Sequence, residues 1–147
     1  MPVIVIGADT PVGTAIVGGL VEPGREVRAF VTDVESAAAL KNLGVKVAIG
    51  DVSDETHIEG AATRCFTAVL VGEAATDARE RSFAPDPESV HRAWSRGISA
   101  SGVKRAIWVI DGEPPSSRVG EVAVVTPDDP DLVEKVVAID DARTLTE

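Results

Sequence analysis

Six short apolar runs punctuate this chain: Val3–Ile6, Val27–Val31, Val45–Ile49, Thr67–Val71, Arg105–Ile110 and Val122–Val125. They are rich in β-branched residues and continuous rather than alternating, the pattern of strands covered on both faces. Helical spacings lie between them. Pro11–Val21 sets Val12, Ala15, Ile16 and Leu20 three and four apart, with Pro11 near the first helical position, where a missing N–H costs little. Val34–Leu43 follows a capping Asp33 and stops at Gly44, and Asp54–Thr63 follows Ser53 as its cap. Pro87–Ser101 carries Val90, Trp94 and Ile98 at i, i+4 and i+8. Strands alternating with such helices predict an α/β fold: a doubly wound, mostly parallel sheet of five to six strands with helices on both faces.

Two stretches break the alternation. Glu73–Asp86 is polar and ends in Pro85-Asp86-Pro87, which predicts a mobile loop. Asp111–Gly120 contains Pro114-Pro115 and is too short for a crossover helix, so the run at Val122–Val125 is expected to pair antiparallel or to add weakly at the edge. After it, Thr126-Pro127-Asp128-Asp129-Pro130 opens an acidic helix ending near Arg143.

A length of 147 residues predicts a single domain over 1–147. The formal charge of −10 argues against nucleic acid and anionic lipid as partners. No apolar run is long enough to cross a membrane, and Met1 leads into the first strand without a basic segment, so a cytoplasmic location is expected. One cysteine, Cys65, excludes an internal disulfide framework and a cysteine-based zinc site; it reads as a buried structural thiol. His57 and His91 read as solvated surface side chains, and no metal set is visible. Trp94 and Trp108 belong to the core or to a dimer face.

The first strand–helix junction, Gly7-Ala8-Asp9-Thr10-Pro11-Val12-Gly13, carries the strongest chemical signal. A glycine ending the strand allows a tight turn, and the helix N-terminus behind it offers N–H groups and partial positive charge to a pyrophosphate. Gly13 lets the helix pack close to the strand. Thr10 stands where a third glycine is expected, and its hydroxyl has two uses, capping the helix or donating to an oxyanion. Asp33 follows Gly13 by twenty residues, the spacing at which an acid reaches a ribose hydroxyl.

From Val3 to Asp54 the chain resembles the atypical short-chain dehydrogenase/reductases, the NmrA-like NAD(P)-binding proteins. The matching pieces are I-G-A-D-T-P-V-G, V-R-A-F-V-T-D at Val27–Asp33 and V-K-V-A-I-G-D-V-S-D at Val45–Asp54. G-V-K-R-A-I-W-V-I at Gly102–Ile110 is similar to that family's fifth strand. The resemblance implies a Rossmann-like fold with NAD or NADP as cofactor. It also implies roles: Gly7, Ala8, Asp9, Thr10, Pro11, Val12 and Gly13 at the pyrophosphate, Thr32 and Asp33 at the adenosine ribose, Asp51 and Val52 at the adenine edge, and Gly72 toward the cofactor's ribose or nicotinamide side. NADP-preferring relatives place arginine where Thr32 stands, which favours NAD. A homodimer is a further implication.

Departures from the family bear on activity. The wider superfamily's chemistry uses Tyr-x-x-x-Lys, and this chain contains no tyrosine. The serine expected after the fifth strand is replaced in Val109-Ile110-Asp111-Gly112, and no equivalent of the C-terminal substrate lobe follows. Asp111 is a candidate base without a positioned partner, so no catalytic residue is assigned. The expected function is therefore a dinucleotide-binding protein without catalysis, a nucleotide sensor or regulatory module. The alternatives are a divergent NAD(P)-dependent oxidoreductase or epimerase-like enzyme, and a structural or interaction protein that has lost its cofactor. A phosphoacceptor receiver domain needs clustered acids and a lysine that the sequence does not supply.

Overall fold

The structure, a computed structural model, describes residues 2–76 and 86–144. Six strands form one sheet in the order β3-β2-β1-β4-β5-β6: β1 Val3–Ile6, β2 Val27–Val31, β3 Lys46–Ile49, β4 Thr67–Val71, β5 Arg105–Val109 and β6 Glu121–Val125. Every pairing is parallel. Val3 of β1 lies opposite Val27 on one side and Thr67 on the other, so the strand order reverses at β1. In open α/β sheets a crevice forms outside the carboxyl ends of the strands at such a reversal.

Period-two alternation divides the core. Val3 and Val5 face a layer built from α1 (Pro11–Leu20), α2 (Val34–Lys41) and α6 (Leu132–Asp141), through Ile16, Leu20, Leu40 and Val136. Ile4 and Ile6 face α3 (Glu55–Ala62), α4 (Glu73–Thr76) and α5 (Pro87–Ser101), through Ile58, Ala74 and Trp94. The doubly wound sheet read from the sequence is the observed fold. Trp94 and Trp108 are fully buried with ring centroids 6.3 Å apart, which places both in the core. Trp94 Nε1 donates to the Val52 carbonyl at 2.8 Å. Cys65 is buried as expected, and burial pushes its thiol above the ordinary value.

Several boundaries differ from expectation. β6 runs parallel to β5, not antiparallel. Extended backbone covers about 3.3 Å per residue, so the ten residues Asp111–Gly120 far outreach a return along a five-residue strand of about 17 Å. The crossover needs no helix because α5 holds it. Ser95 Oγ donates to the Ser116 carbonyl, Ser99 Oγ accepts from Arg118 N at 3.0 Å, and Val119 enters the α5-side core. The cap of α3 is Asp54 rather than Ser53, its carboxylate accepting from the amides of Thr56 and His57. The first four residues of the expected Glu73–Asp86 loop are the helical turn α4, anchored by buried Ala74 and Ala75, and residues 77–85 lie outside those described. The acidic C-terminal helix starts after Asp131 rather than at Thr126.

Candidate functional site

The junction of β1 and α1 is built from two glycines that the backbone requires. Gly7 has φ +88, and a Cβ there would lie 2.7 Å from the Ala74 methyl of α4. A Cβ on Gly13 would fall 2.0 Å from the Gly7 carbonyl oxygen. Both positions thus serve the chain's own packing, and Gly13 brings helix against strand as its spacing suggested. Thr10 is the N-cap of α1: fully buried, it accepts from Gly13 N at 3.0 Å and donates to the Gly7 carbonyl at 2.7 Å. Of its two expected uses, capping is the one observed.

The first turn of α1 offers little to an anion in this conformation. Pro11 has no N–H, Gly13 N is held by Thr10, and Val12 N donates to the carboxylate Oε1 of Glu73 at 3.2 Å. Glu73 follows β4 and reaches across from α4. None of the first three positions of α1 therefore offers a free N–H in this conformation, and one of the amides is taken by a carboxylate. Ala8 lies buried beneath the turn.

At the end of β2, Asp9 reaches over from the glycine turn. Its Oδ2 accepts from the amides of Thr32 and Asp33, each at 3.0 Å, while Oδ1 is buried without a partner among the described residues. A buried acceptor left unpaired costs about 1–3 kcal/mol, so a donor placed there would be stabilising. Thr32 Oγ1 donates to the Gly50 carbonyl at 3.1 Å. Asp33 is the cap of α2, accepting from Glu35 N and from Ser36 Oγ, both at 3.0 Å. Its two carboxylate oxygens have capacity for further donors. Asp51 accepts from Ser53 N at 2.9 Å, and its own amide donates to His57 Nδ1 at 3.0 Å. Val52 is buried beneath this loop.

On the other side of α1, a cleft of about 360 Å³ opens at the ends of β4 and β5, lined by Val12, Gly72, Glu73, His91, Asp111 and Pro127. Gly72 is required here, because a Cβ would lie 2.6 Å from Ile110 Cγ2. His91 corrects the sequence reading. It is half-buried, its ring packs 5.5 Å from Trp94 and 5.8 Å from Trp108, and its Nε2 is buried without a partner among the described residues. Burial pushes the imidazole below its ordinary value, against a weaker opposing pull from Glu88. The i, i+3 relation of His91 to Trp94 on a core-facing helix was the available signal. His57, in contrast, is exposed as expected. No group of three or more metal-ligating side chains occurs among the described residues.

The profile of a family described as NAD(P)H-binding matches residues 7–129, from the β1–α1 turn past β6. The chain belongs to this NAD(P)H-binding family. Solved structures agree in fold. Triphenylmethane reductase from Citrobacter sp. superimposes with a TM-score of 0.63 at 17% identity, covering 96% of this chain and 46% of that one. The NADPH-dependent quinone oxidoreductase of Escherichia coli, complexed with NADPH, gives 0.61 at 22% identity over 73% of this chain and 36% of that one. UDP-glucose 4-epimerase of Thermotoga maritima gives 0.54 at 19% identity over 74% and 37%. The chain thus spans less than half the length of each. No curated protein sequence matches it significantly. The Rossmann-type NAD(P)-binding architecture expected from the sequence is that of this family. No described helix is long and apolar enough to cross a membrane.

Residues at the end of β2 fit the ribose of a dinucleotide, because Asp9 Oδ1, without a partner among the described residues, and the Asp33 carboxylate are acceptors and ribose hydroxyls are donors. The pyrophosphate half does not fit while Glu73 holds Val12 N.

Proposed function

We propose that the chain acts as one domain that binds NAD in preference to NADP and holds it without catalysis, as a nucleotide sensor or regulatory module. The observation that carries this reading is the acid pair at the end of β2. Asp9 and Asp33 present carboxylates where a ribose would hydrogen-bond and where a 2′-phosphate would be repelled. Thr32, at the position of the relatives' arginine, supplies no compensating charge. The sites proposed for the dinucleotide remain Gly7–Gly13, Thr32, Asp33, Asp51, Val52 and Gly72. The absence of tyrosine from the sequence supports a non-catalytic role, since the Tyr-x-x-x-Lys route is closed.

A second reading, a divergent oxidoreductase or epimerase-like enzyme, is favoured by one observation. The cleft at the ends of β4 and β5 is lined by both Asp111 and His91, whose Nε2 has no partner among the described residues. A homodimer is supported by Val122 and Val124, 44% and 43% exposed on the edge strand β6.

Thermal unfolding with saturating NAD, NADH, NADP or NADPH tests the primary reading. A ligand at 100 times its Kd stabilises the folded state by about 2.7 kcal/mol. A rise in Tm with NAD and a smaller one with NADP is expected. No shift with any of the four would leave a structural or interaction role. Substrate-dependent change in reduced-nicotinamide absorbance with a panel of carbonyl compounds would favour the enzyme.

A further inference from the structure

Glu73 occupies a position of unusual consequence. Its Oε1 accepts from Val12 N at 3.2 Å, in the first turn of the helix that follows the glycine turn. Among the first three positions of α1, Pro11 has no donor and Gly13 N is committed to Thr10, so Val12 N is the amide that Glu73 takes out of use. A carboxylate resembles a phosphate in charge and in acceptor oxygens, and a helix N-terminus stabilises either one. Its anchorage is firm: Ala74 and Ala75 are buried in the α5-side core, and the Ala74 methyl closes against Gly7. Thr76 Oγ1 donates back to the Glu73 carbonyl at 2.9 Å, closing the turn. The backbone of α4 is thus fixed, while the carboxylate itself lies beside the cleft at the ends of β4 and β5. Glu73 has three rotatable side-chain bonds, so releasing Val12 N calls for a change of rotamer rather than of fold.

We propose that Glu73 is the specificity-determining residue of the nucleotide site. It is an internal anion seated where a ligand's pyrophosphate must bind, so that ligands carrying pyrophosphate bind only by displacing it. This inference rests on the dinucleotide-binding reading. Two anions cannot share one helix terminus without mutual repulsion, so every pyrophosphate ligand meets a cost that a ligand without phosphate does not. Affinity for the phosphate-free part of the ligand is set elsewhere, at Asp9 and Asp33.

The test compares wild-type protein with Glu73→Gln and Glu73→Ala, using NAD, ADP-ribose and adenosine as calorimetric titrants. The glutamine keeps an acceptor for Val12 N but removes the charge, and the alanine also frees the amide. NAD and ADP-ribose are expected to bind about tenfold more tightly to Glu73→Gln, and more tightly still to Glu73→Ala. Adenosine affinity stays unchanged in all three proteins. If Glu73→Ala does not fold, the Glu73→Gln series decides alone. Equal NAD affinity in wild type and variants, or an equal gain for adenosine, overturns the role of Glu73 and leaves the dinucleotide reading standing. No binding of NAD or ADP-ribose to any of the proteins overturns both.

Discussion

Arg105 Nη1 donates to the Ile139 carbonyl at 2.6 Å, tying the first residue of β5 to the last turn of α6. The same nitrogen donates to the carbonyls of Asp140 and Ala142, at 3.2 and 2.8 Å. Nε donates to Glu121 of β6 at 3.0 Å, and the guanidinium lies 5.2 Å from the centroid of Phe66. The side chain is fully buried, and it caps α6 while joining it to the edge of the sheet. Arg105→Ala strands these carbonyls and removes the guanidinium's contact with Glu121. A loss of about 3 kcal/mol is expected in urea unfolding, and Arg105→Lys recovers only part of it, because an ammonium lacks the planar fork. A loss below about 1 kcal/mol for the alanine variant would show that α6 is held by its apolar face alone.

Cofactor choice is expected to follow Asp9. In Asp9→Asn the amide oxygen still accepts from Thr32 N and Asp33 N, but one of the two charges at the end of β2 is removed. Calorimetry is expected to show the NADP-to-NAD affinity ratio rising about tenfold. Replacing a charged acceptor by a neutral one costs about 1 kcal/mol of stability. An unchanged ratio would place the discrimination at Asp33 instead.

The legible parts of the fold are those dictated locally. Val3–Ile6 and Thr67–Val71 are apolar on both faces, and Pro87–Ser101 is bounded by a proline and a glycine; all three have the predicted limits. The direction of β6 was not legible, because it depends on hydroxyls of Ser95 and Ser99 that meet the crossover only after α5 has docked. At the site, the glycine turn and the cap by Asp33 could be read from spacing. The bond from Val12 N to Glu73 could not, since it joins residues far apart in sequence through the parallel pairing of β1 and β4. His91 was misread for a related reason: its polar character suggested solvent, while its register with Trp94 decided its burial.

Acid is expected to destabilise the protein through His91. Burial lowers its folded pKa, whereas the unfolded value is about 6.5. Below that value the unfolded chain takes up a proton that the folded one resists, so this contribution is complete above pH of about 6.5 and is lost as pH falls toward the folded pKa. His91→Gln removes the titration. Urea midpoints measured near neutrality and at about pH 5.5 are expected to fall more in wild type than in the variant. Parallel midpoints would mean that the imidazole is solvated in both states.

Thr10→Gly separates capping from ligand contact at the start of α1. The substitution removes a fully buried side chain, frees Gly13 N and deletes the bond to the Gly7 carbonyl. Glycine replaces a capping threonine at a cost of a few tenths of a kcal/mol, and the lost buried hydrogen bond adds about 1 kcal/mol. A stability loss of that order is expected in urea unfolding. Dinucleotide affinity is expected to move the other way, about tenfold tighter by calorimetry, because a freed amide and a removed methyl group open the helix terminus to phosphate. Weaker binding in Thr10→Gly would instead make the threonine hydroxyl a group that the ligand itself uses, and would assign the closing of this terminus to Glu73 alone.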